Sequence, residues 1–276
     1  MQTTSQTPTS RTAARVIIVT GAASGVGAAT ARRLASEGAC VVVNYRSNPE
    51  AAQAVVADCL ALGGQAVAVQ GDVAIDADCE ALAAAAMQHW GRIDGLVNCA
   101  ATTQFVPMTE LDRLKPQDFL SIYGTNAVGA FQMCRAAARH MGQGAAIVNV
   151  STVAALTGSG SSLPYVMSKA ALNAMTQALA RALAPRVRVN AVLPGLVEGR
   201  WMRDGLGEAA YEQVKTAYAA QSALGRVATP EHIADAIGWL LHPASIVTGQ
   251  QLVVDAGFLL GKLPTATGTS NESSVS

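Results

Sequence analysis

Apolar positions along this chain fall into short, nearly unbroken runs separated by longer stretches of helical pattern. The runs lie at 16–20, 40–44, 66–70, 93–98, 146–150, 187–192 and 251–254. They are continuous in Val, Ile and Ala rather than alternating. Strands covered on both faces read this way, as in a parallel sheet flanked by helices. Several intervening segments stop at Gly, at Glu37-Gly38, Leu62-Gly63-Gly64 and Trp90-Gly91, as helices commonly do. Seven strands alternating with six helical segments predict an α/β Rossmann fold, a doubly wound seven-stranded parallel sheet with helices on both faces. No linker interrupts the series, so residues 15–261 are read as one domain. Residues 1–14 are rich in Thr, Ser and Gln and are expected to be a flexible arm; residues 262–276 have the same character and are expected to be a disordered tail.

Two stretches escape the alternation, 102–116 after the fourth strand and 196–226 after the sixth. Both follow the C-terminal end of a strand, where open α/β sheets bind ligands. Loops this long usually serve function.

Composition narrows the function classes. Half of the 276 residues are hydrophobic and only 14% are charged, the profile of a packed globular protein. Lys plus Arg and Asp plus Glu number 19 each, leaving no field to attract nucleic acid or an anionic membrane. No apolar run approaches bilayer-spanning length, and the first residues lack the apolar stretch of a secretory signal. The cysteines at 40, 59, 79, 99 and 134 are scattered without a CxxC, and the histidines at 89, 140, 232 and 242 form no ligand pair. Neither a disulfide framework nor a metal site is expected, and a cytoplasmic location fits.

The first strand runs directly into Thr20-Gly21-Ala22-Ala23-Ser24-Gly25-Val26-Gly27, ahead of a helical run to Glu37. A Gly-rich turn between strand and helix lets backbone approach a pyrophosphate, whose charge then sits at the helix N-terminus. Further on, Tyr165 and Lys169 stand four apart, one turn on a helix whose start Pro164 favours. A nearby ammonium favours tyrosinate and lowers the phenol's pKa from its ordinary value of about 10. Such a Tyr can give a proton to a carbonyl oxygen, or take it back.

The TGxxxGxG spacing, with Tyr165 and Lys169 behind a fifth strand, resembles the short-chain dehydrogenase/reductase family in its compact single-domain branch. The likeness covers roughly residues 15 to 260 and extends to 3-ketoacyl reductases and glucose dehydrogenase-like members. It implies a nicotinamide cofactor held by Gly21, Ser24, Gly25, Val26 and Gly27. It also implies that Asp72-Val73 meet the adenine and that Asn98-Cys99-Ala100-Ala101, the counterpart of the family's NNAG, lies beside the adenosine ribose. Pro194-Gly195 match the turn under the nicotinamide, with Val197 offering backbone groups to the carboxamide. Gly199 stands where the family commonly has Thr, so a side-chain contact to the cofactor is lost there or supplied by another group. At the end of the second strand Tyr45 replaces the acid that would hold an NAD ribose, and Arg46 and Ser47 offer a charged fork and a hydroxyl to a 2′-phosphate. NADP(H) is therefore the expected cofactor, with Tyr165 and Lys169 also touching it.

The family's active-site Ser lies thirteen residues before the Tyr. Counting back from Tyr165 reaches Thr152, not Ser151. Either Thr152 holds the substrate oxygen or a local shift presents Ser151; Thr152 is the reading preferred, with Ser151 pointing away by strand alternation. Asn126 matches the fourth catalytic member, which shapes its helix around a water linking the Lys to solvent. The expected activity is NADP(H)-dependent hydride transfer between a ketone or aldehyde and a secondary alcohol. A 3-ketoacyl-thioester reductase and a non-catalytic NADP-binding redox sensor are the alternatives. An enoyl reductase of the superfamily uses a wider Tyr–Lys spacing. Phe105, Val106, Met108, Leu156, Leu196, Trp201, Met202 and Tyr218 suggest an apolar or mixed substrate pocket. By resemblance, the Tyr165–Lys169 helix and the segment 248–258 would build a homotetramer or homodimer.

Overall fold

The structure is a computed structural model that describes residues 14–242 and 246–262. Apart from residues 14 and 262, the expected arm and tail lie outside the described residues. Strands β1 (Val16–Val19), β2 (Cys40–Tyr45), β3 (Gln65–Gln70), β4 (Ile93–Asn98), β5 (Met141–Val150), β6 (Val187–Pro194) and β7 (Gln251–Val254) form one parallel sheet in the order β3-β2-β1-β4-β5-β6-β7. The order reverses beside β1, so the crevice above β1 and β4 is the topological switch point.

Helices cover both faces. They are α1 (Gly25–Ser36), α2 (Pro49–Ala61), α3 (Asp76–Trp90), α4 (Pro116–Tyr123), α5 (Ala130–Ala138), α6 (Ala154–Thr157), α7 (Leu163–Leu183), α8 (Arg200–Leu206), α9 (Glu208–Gln221) and α10 (Pro230–Leu241). Alternate residues of each strand feed opposite cores. Ile17, Val19, Val41 and Val43 pack with Leu34 of α1 and Ile233 and Ile237 of α10. Val16, Ile18 and Val42 pack with Leu82 of α3 and Met133 of α5 on the other side. Both sets are dry, which is why the strands read as unbroken apolar runs.

Three features depart from the sequence pattern. The stretch 196–226 is mostly helix, since it carries α8 and α9. Strand β5 starts at Met141, ahead of the expected 146, and its register against β4 shifts between Ile93 and Gly95. Exposed Gly142 and Gly144 interrupt the apolar run there and hide the strand's start. Finally, α4 continues into α5 through a π-helical turn, Gly124–Gly129.

Past β7 the chain turns through Asp255, Ala256 and Gly257. The Asp255 carboxylate accepts from Gly257 N at 2.8 Å and from Leu259 N at 2.9 Å. Ala256 is held at φ 56°, the left-handed region. An L side chain there costs about 1–2 kcal/mol, part of which Gly would return as extra unfolded-state entropy. Ala256→Gly is expected to stabilise the fold by about 1 kcal/mol and to raise Tm by about 2–4 °C in a chain of this size, measured by thermal unfolding.

Candidate active site

The turn from β1 into α1 is shaped by close backbone approach. Gly21 sits at φ 62°, and a Cβ there would come within 2.8 Å of Ala100 Cα. A Cβ on Gly27 would lie 2.4 Å from the Gly21 carbonyl oxygen. Two buried polar side chains fix this turn to its neighbours; Thr20 opens the TGxxxGxG run, but the sequence assigned a role to neither it nor Asn44. Thr20 Oγ1 accepts from Cys99 N and Ala100 N, both at 3.0 Å, tying the turn to the end of β4. Asn44 Oδ1 accepts from Gly21 N at 3.1 Å, while its Nδ2 donates to Gly71 O at 3.0 Å. A polar residue directly after three consecutive Val in a buried strand was the available signal for Asn44.

Ser24 caps α1 in extended conformation, but its hydroxyl makes no capping bond, and no acid lies in the first turn. The orphan amides that begin a helix are thus left without a side-chain acceptor, a setting that suits an anionic group. Arg46 and Ser47 are exposed at the end of β2. Among the described residues no carboxylate pairs with the Arg46 guanidinium; Gln70 Nε2 donates only to its backbone carbonyl, at 3.1 Å. Tyr45 is half-buried beside them. Bare backbone at Gly21 and Gly27 and free amides at α1 fit the phosphates of a nicotinamide dinucleotide, and Arg46 stands unpaired at the end of β2.

The other residues implicated by sequence lie along the same edge of the sheet. Asp72 N donates to Asp78 at 2.8 Å, and Asp72 Oδ1 accepts from Ala74 N at 2.9 Å, so the carboxylate shapes its own turn. Val73 is buried against Gly129 of the π-helical turn, where a Cβ would meet it at 2.9 Å. Asn98 turns inward: Nδ2 donates to Asn149 Oδ1 at 2.9 Å, and Asn149 Nδ2 continues to Thr176 Oγ1 at 2.9 Å. Its amide braces β4 against β5 and α7, leaving the turn itself to Cys99 and Ala100. Pro194 O accepts from Val153 N at 2.9 Å, and Gly195 N donates to Val254 O at 3.1 Å. The bridge between Val197 and Ala228 uses Leu196 O and Glu198 N, so Val197's own N–H and C=O face the opposite side. Gly199 takes φ 149°, ψ 178°, a region essentially closed to other residues, and leads into α8. That backbone accounts for Gly where the family commonly has Thr.

At the catalytic end, α7 begins at Leu163 with Pro in its first turn and carries Tyr165 and Lys169 on one face. Lys169 is buried, and its Nζ donates to Val150 O at 2.7 Å while standing 5.9 Å from the Tyr165 ring centroid. Ser151 is buried with Oγ directed to Lys169 O at 3.3 Å. Thr152 is half-buried on the Pro194 side, donating to Pro194 O at 3.4 Å and accepting from Ala154 N at 3.2 Å. Asn126 lies in the π-helical turn. Its Oδ1 accepts from Thr102 N at 2.8 Å, and its Nδ2 donates to Thr102 O and to Ser168 Oγ, both at 3.0 Å. It therefore joins the start of the 102–116 stretch to α7 beside Lys169.

Charge in this site differs from the sequence expectation. Burial pushes the Tyr165 phenol above its ordinary range, with the neighbouring Cys99 adding to the effect. Burial also lowers the Lys169 ammonium to about 8, opposed by Cys99. The ammonium is spent on Val150 O rather than on the phenol oxygen, so desolvation decides both shifts. The Cys99 thiol is itself pushed up to about 11 by burial.

Stability follows from the Lys169 shift. The unfolded Lys holds its proton up to about 10.4 and the folded one only to about 8. Between those values the unfolded state binds more protons, so this group's contribution rises with pH. Thiols raised by desolvation to about 11–12 at Cys59, Cys79, Cys99 and Cys134 pull the other way above the ordinary thiol value of 9.0. The expected result is a difference between wild type and Lys169→Met, in denaturant unfolding without cofactor. The variant is the more stable below pH about 8, and its advantage shrinks as pH rises toward about 10.4. A pH-independent difference would contradict the buried ammonium.

No helix among the described residues is long and apolar enough to cross a membrane. Residues 21–259 match the family described as enoyl-(acyl carrier protein) reductase. The chain is 36% identical to the L-rhamnose 1-dehydrogenase (NAD(P)(+)) of Azotobacter vinelandii, covering 89% of this chain and 97% of that protein. It is 35% identical to the 3-oxoacyl-[acyl-carrier-protein] reductase of Synechocystis, over 90% of this chain and 98% of the relative. A solved short-chain dehydrogenase/reductase (glucose/ribitol dehydrogenase) from Brucella melitensis superposes with a TM-score of 0.81 at 31% identity, over 88% of this chain and 96% of that one. This chain is an oxidoreductase and belongs to the short-chain dehydrogenase/reductase family.

Proposed function

We propose that the protein is an NADP(H)-dependent oxidoreductase that interconverts a ketone or aldehyde with a secondary alcohol. The observation that carries this reading is the Tyr165–Lys169 pair on one face of α7, with Ser151 turned away and the Thr152 hydroxyl beside the Pro194 turn. When bound, the nicotinamide supplies or accepts the hydride. Thr152 orients the substrate oxygen by hydrogen bonding. Tyr165 gives its proton to that oxygen as the carbonyl is reduced and takes it back in the oxidative direction. A phenol kept protonated by burial is suited to the donor role at neutral pH. Lys169 supplies positive charge beneath the ring, and Asn126 holds the turn that keeps Lys169 and the 102–116 stretch together. The TyrxxxLys spacing favours carbonyl over enoyl reduction.

NADP(H) is preferred over NAD(H) because Tyr45 stands where an NAD site would carry an acid and the neighbouring Arg46 is unpaired; Ser47 and Tyr45 complete the phosphate site. Gly21, Ser24, Gly25, Val26 and Gly27 receive the pyrophosphate, Asp72, Val73 and Ala100 border the adenosine with Asn98 bracing that edge from behind, and Pro194, Gly195 and Val197 hold the carboxamide. A 3-ketoacyl thioester is the second reading, favoured by similarity to the Synechocystis reductase. Residues 15–261 act as the single catalytic domain. Exposed Leu120, Tyr123, Val128, Phe131 and Met167 on the α4, α5 and α7 side are apolar enough to be covered by further copies, supporting a homotetramer or homodimer. All five cysteines are free thiols, which suits a reducing cytoplasm. The direct test is NADPH oxidation against a panel of ketones and aldehydes. Tight NADPH binding without turnover of any member would overturn the catalytic reading in favour of a sensor.

A further inference from the structure

The two stretches that border the substrate side meet where Phe105 packs on Gly205. Phe105, on the stretch after β4, lies against the bare Cα of Gly205 in α8; a Cβ built there would fall 2.0 Å from Cε2 and 2.3 Å from Cζ of the ring. Each partner is anchored to a different wall of the catalytic cleft. On one side Asn126 grips both backbone groups of Thr102. Thr103 Oγ1 and Ser161 Oγ lie 2.6 Å apart, and Val106 N donates to Ser161 O at 2.9 Å, just before the start of the helix that carries Tyr165. On the other side α8 begins just after Val197, the residue whose free backbone groups face the cofactor edge. The Phe105–Gly205 contact therefore spans the cleft from the tyrosine wall to the nicotinamide wall. The charged residues of α8 are already occupied, Arg200 with Asp204 and Arg203 with Glu208 and Glu212.

Resting on the carbonyl-reductase reading above, we propose that Phe105 seated on Gly205 is the gate that sets acceptor size. It restricts the site to neutral carbonyl compounds whose substituent on that side is slim. Gly205 is the enabling residue, since any side chain at this position would occupy the space of the ring. It lies inside the helix and is not among the positive-φ glycines, so the backbone accepts Ala. Ala is also the better helix former, and the atoms it would meet are the far end of a side chain. Gly205→Ala is thus expected to swing the ring out while leaving α8 folded.

The test compares an aryl methyl ketone with its tert-butyl analogue at saturating NADPH, in wild type, Phe105→Ala, Gly205→Ala and the double variant. Each single change is expected to raise the bulky-to-small ratio of kcat/KM about tenfold or more, with KM for NADPH unmoved. The double variant should do no more than the larger single one, because both act through one contact. An unchanged ratio in either single variant, or effects that multiply in the double, overturns the gate. No turnover of any ketone by wild type would instead remove the carbonyl reading, and the gate with it. Gly205→Ala guards the result against misfolding of Phe105→Ala.

Discussion

Replacing Tyr165 with Phe is expected to lower kcat for carbonyl reduction by about 10²–10⁴-fold, the range of a lost general acid, while NADPH affinity is unchanged. Phe keeps the ring, its burial and its place one turn from Lys169, so the variant removes only the hydroxyl. Steady-state turnover of a ketone, read beside fluorescence titration with NADPH, separates the two effects. A rate near wild type would mean that another group, with the Thr152 hydroxyl foremost, delivers the proton. A parallel collapse of NADPH binding would mean that Tyr165 holds the cofactor more than it serves the chemistry. A phenol is protonated in the neutral range at its ordinary value of about 10, and burial pushes this one higher, so Tyr165 is in its proton-donating form at neutral pH.

The second large effect belongs to Arg46. Arg46→Ala is expected to cut kcat/KM for NADPH by about 10–100-fold, as one charge-assisted hydrogen-bonding group contributes about 1.5–3 kcal/mol. The value for NADH should stay nearly constant, because that dinucleotide lacks the extra phosphate. Exposure of the guanidinium puts the expectation at the lower end at high salt and the upper end at low salt. Equal losses with both dinucleotides would contradict a phosphate-reading Arg46.

Much of the fold was legible because the strands are buried on both faces. Val41, Val42 and Val43 feed different cores, so no position in that strand tolerates polarity except Asn44, which has partners at Gly21 and Gly71. Helices α8 and α9 were not legible. No residue of α8 is buried, and α9 buries only Tyr211, so neither presents the apolar stripe that periodicity detects. The start of β5 was lost for the same reason, its edge being exposed Gly and Gln.

At the site, the residues that stood out were those whose chemistry fixes both type and spacing, Tyr165 and Lys169 above all. Counting along the chain reached Thr152; the structure directs the Ser151 hydroxyl to Lys169 O and the Thr152 hydroxyl to Pro194 O. Thr20 and Asn44 escaped because they act on backbone groups far away in sequence, the Thr20 bonds crossing 79 and 80 residues. The direction of the Tyr165 shift escaped as well. Spacing brings a lysine near a tyrosine, but only the packing shows that the ammonium is buried and spent on Val150 O, and that loss of hydration decides both shifts.

The most direct measurement is transfer from NADPH carrying deuterium on the reactive carbon of the nicotinamide ring. The protein is incubated with a ketone, and the product is examined by mass spectrometry and NMR. Deuterium on the carbinol carbon is the predicted result, lost in step with turnover in Tyr165→Phe. Deuterium on a saturated carbon of an enone, with its carbonyl intact, or tight binding with no deuterium transferred to any acceptor, would contradict the account.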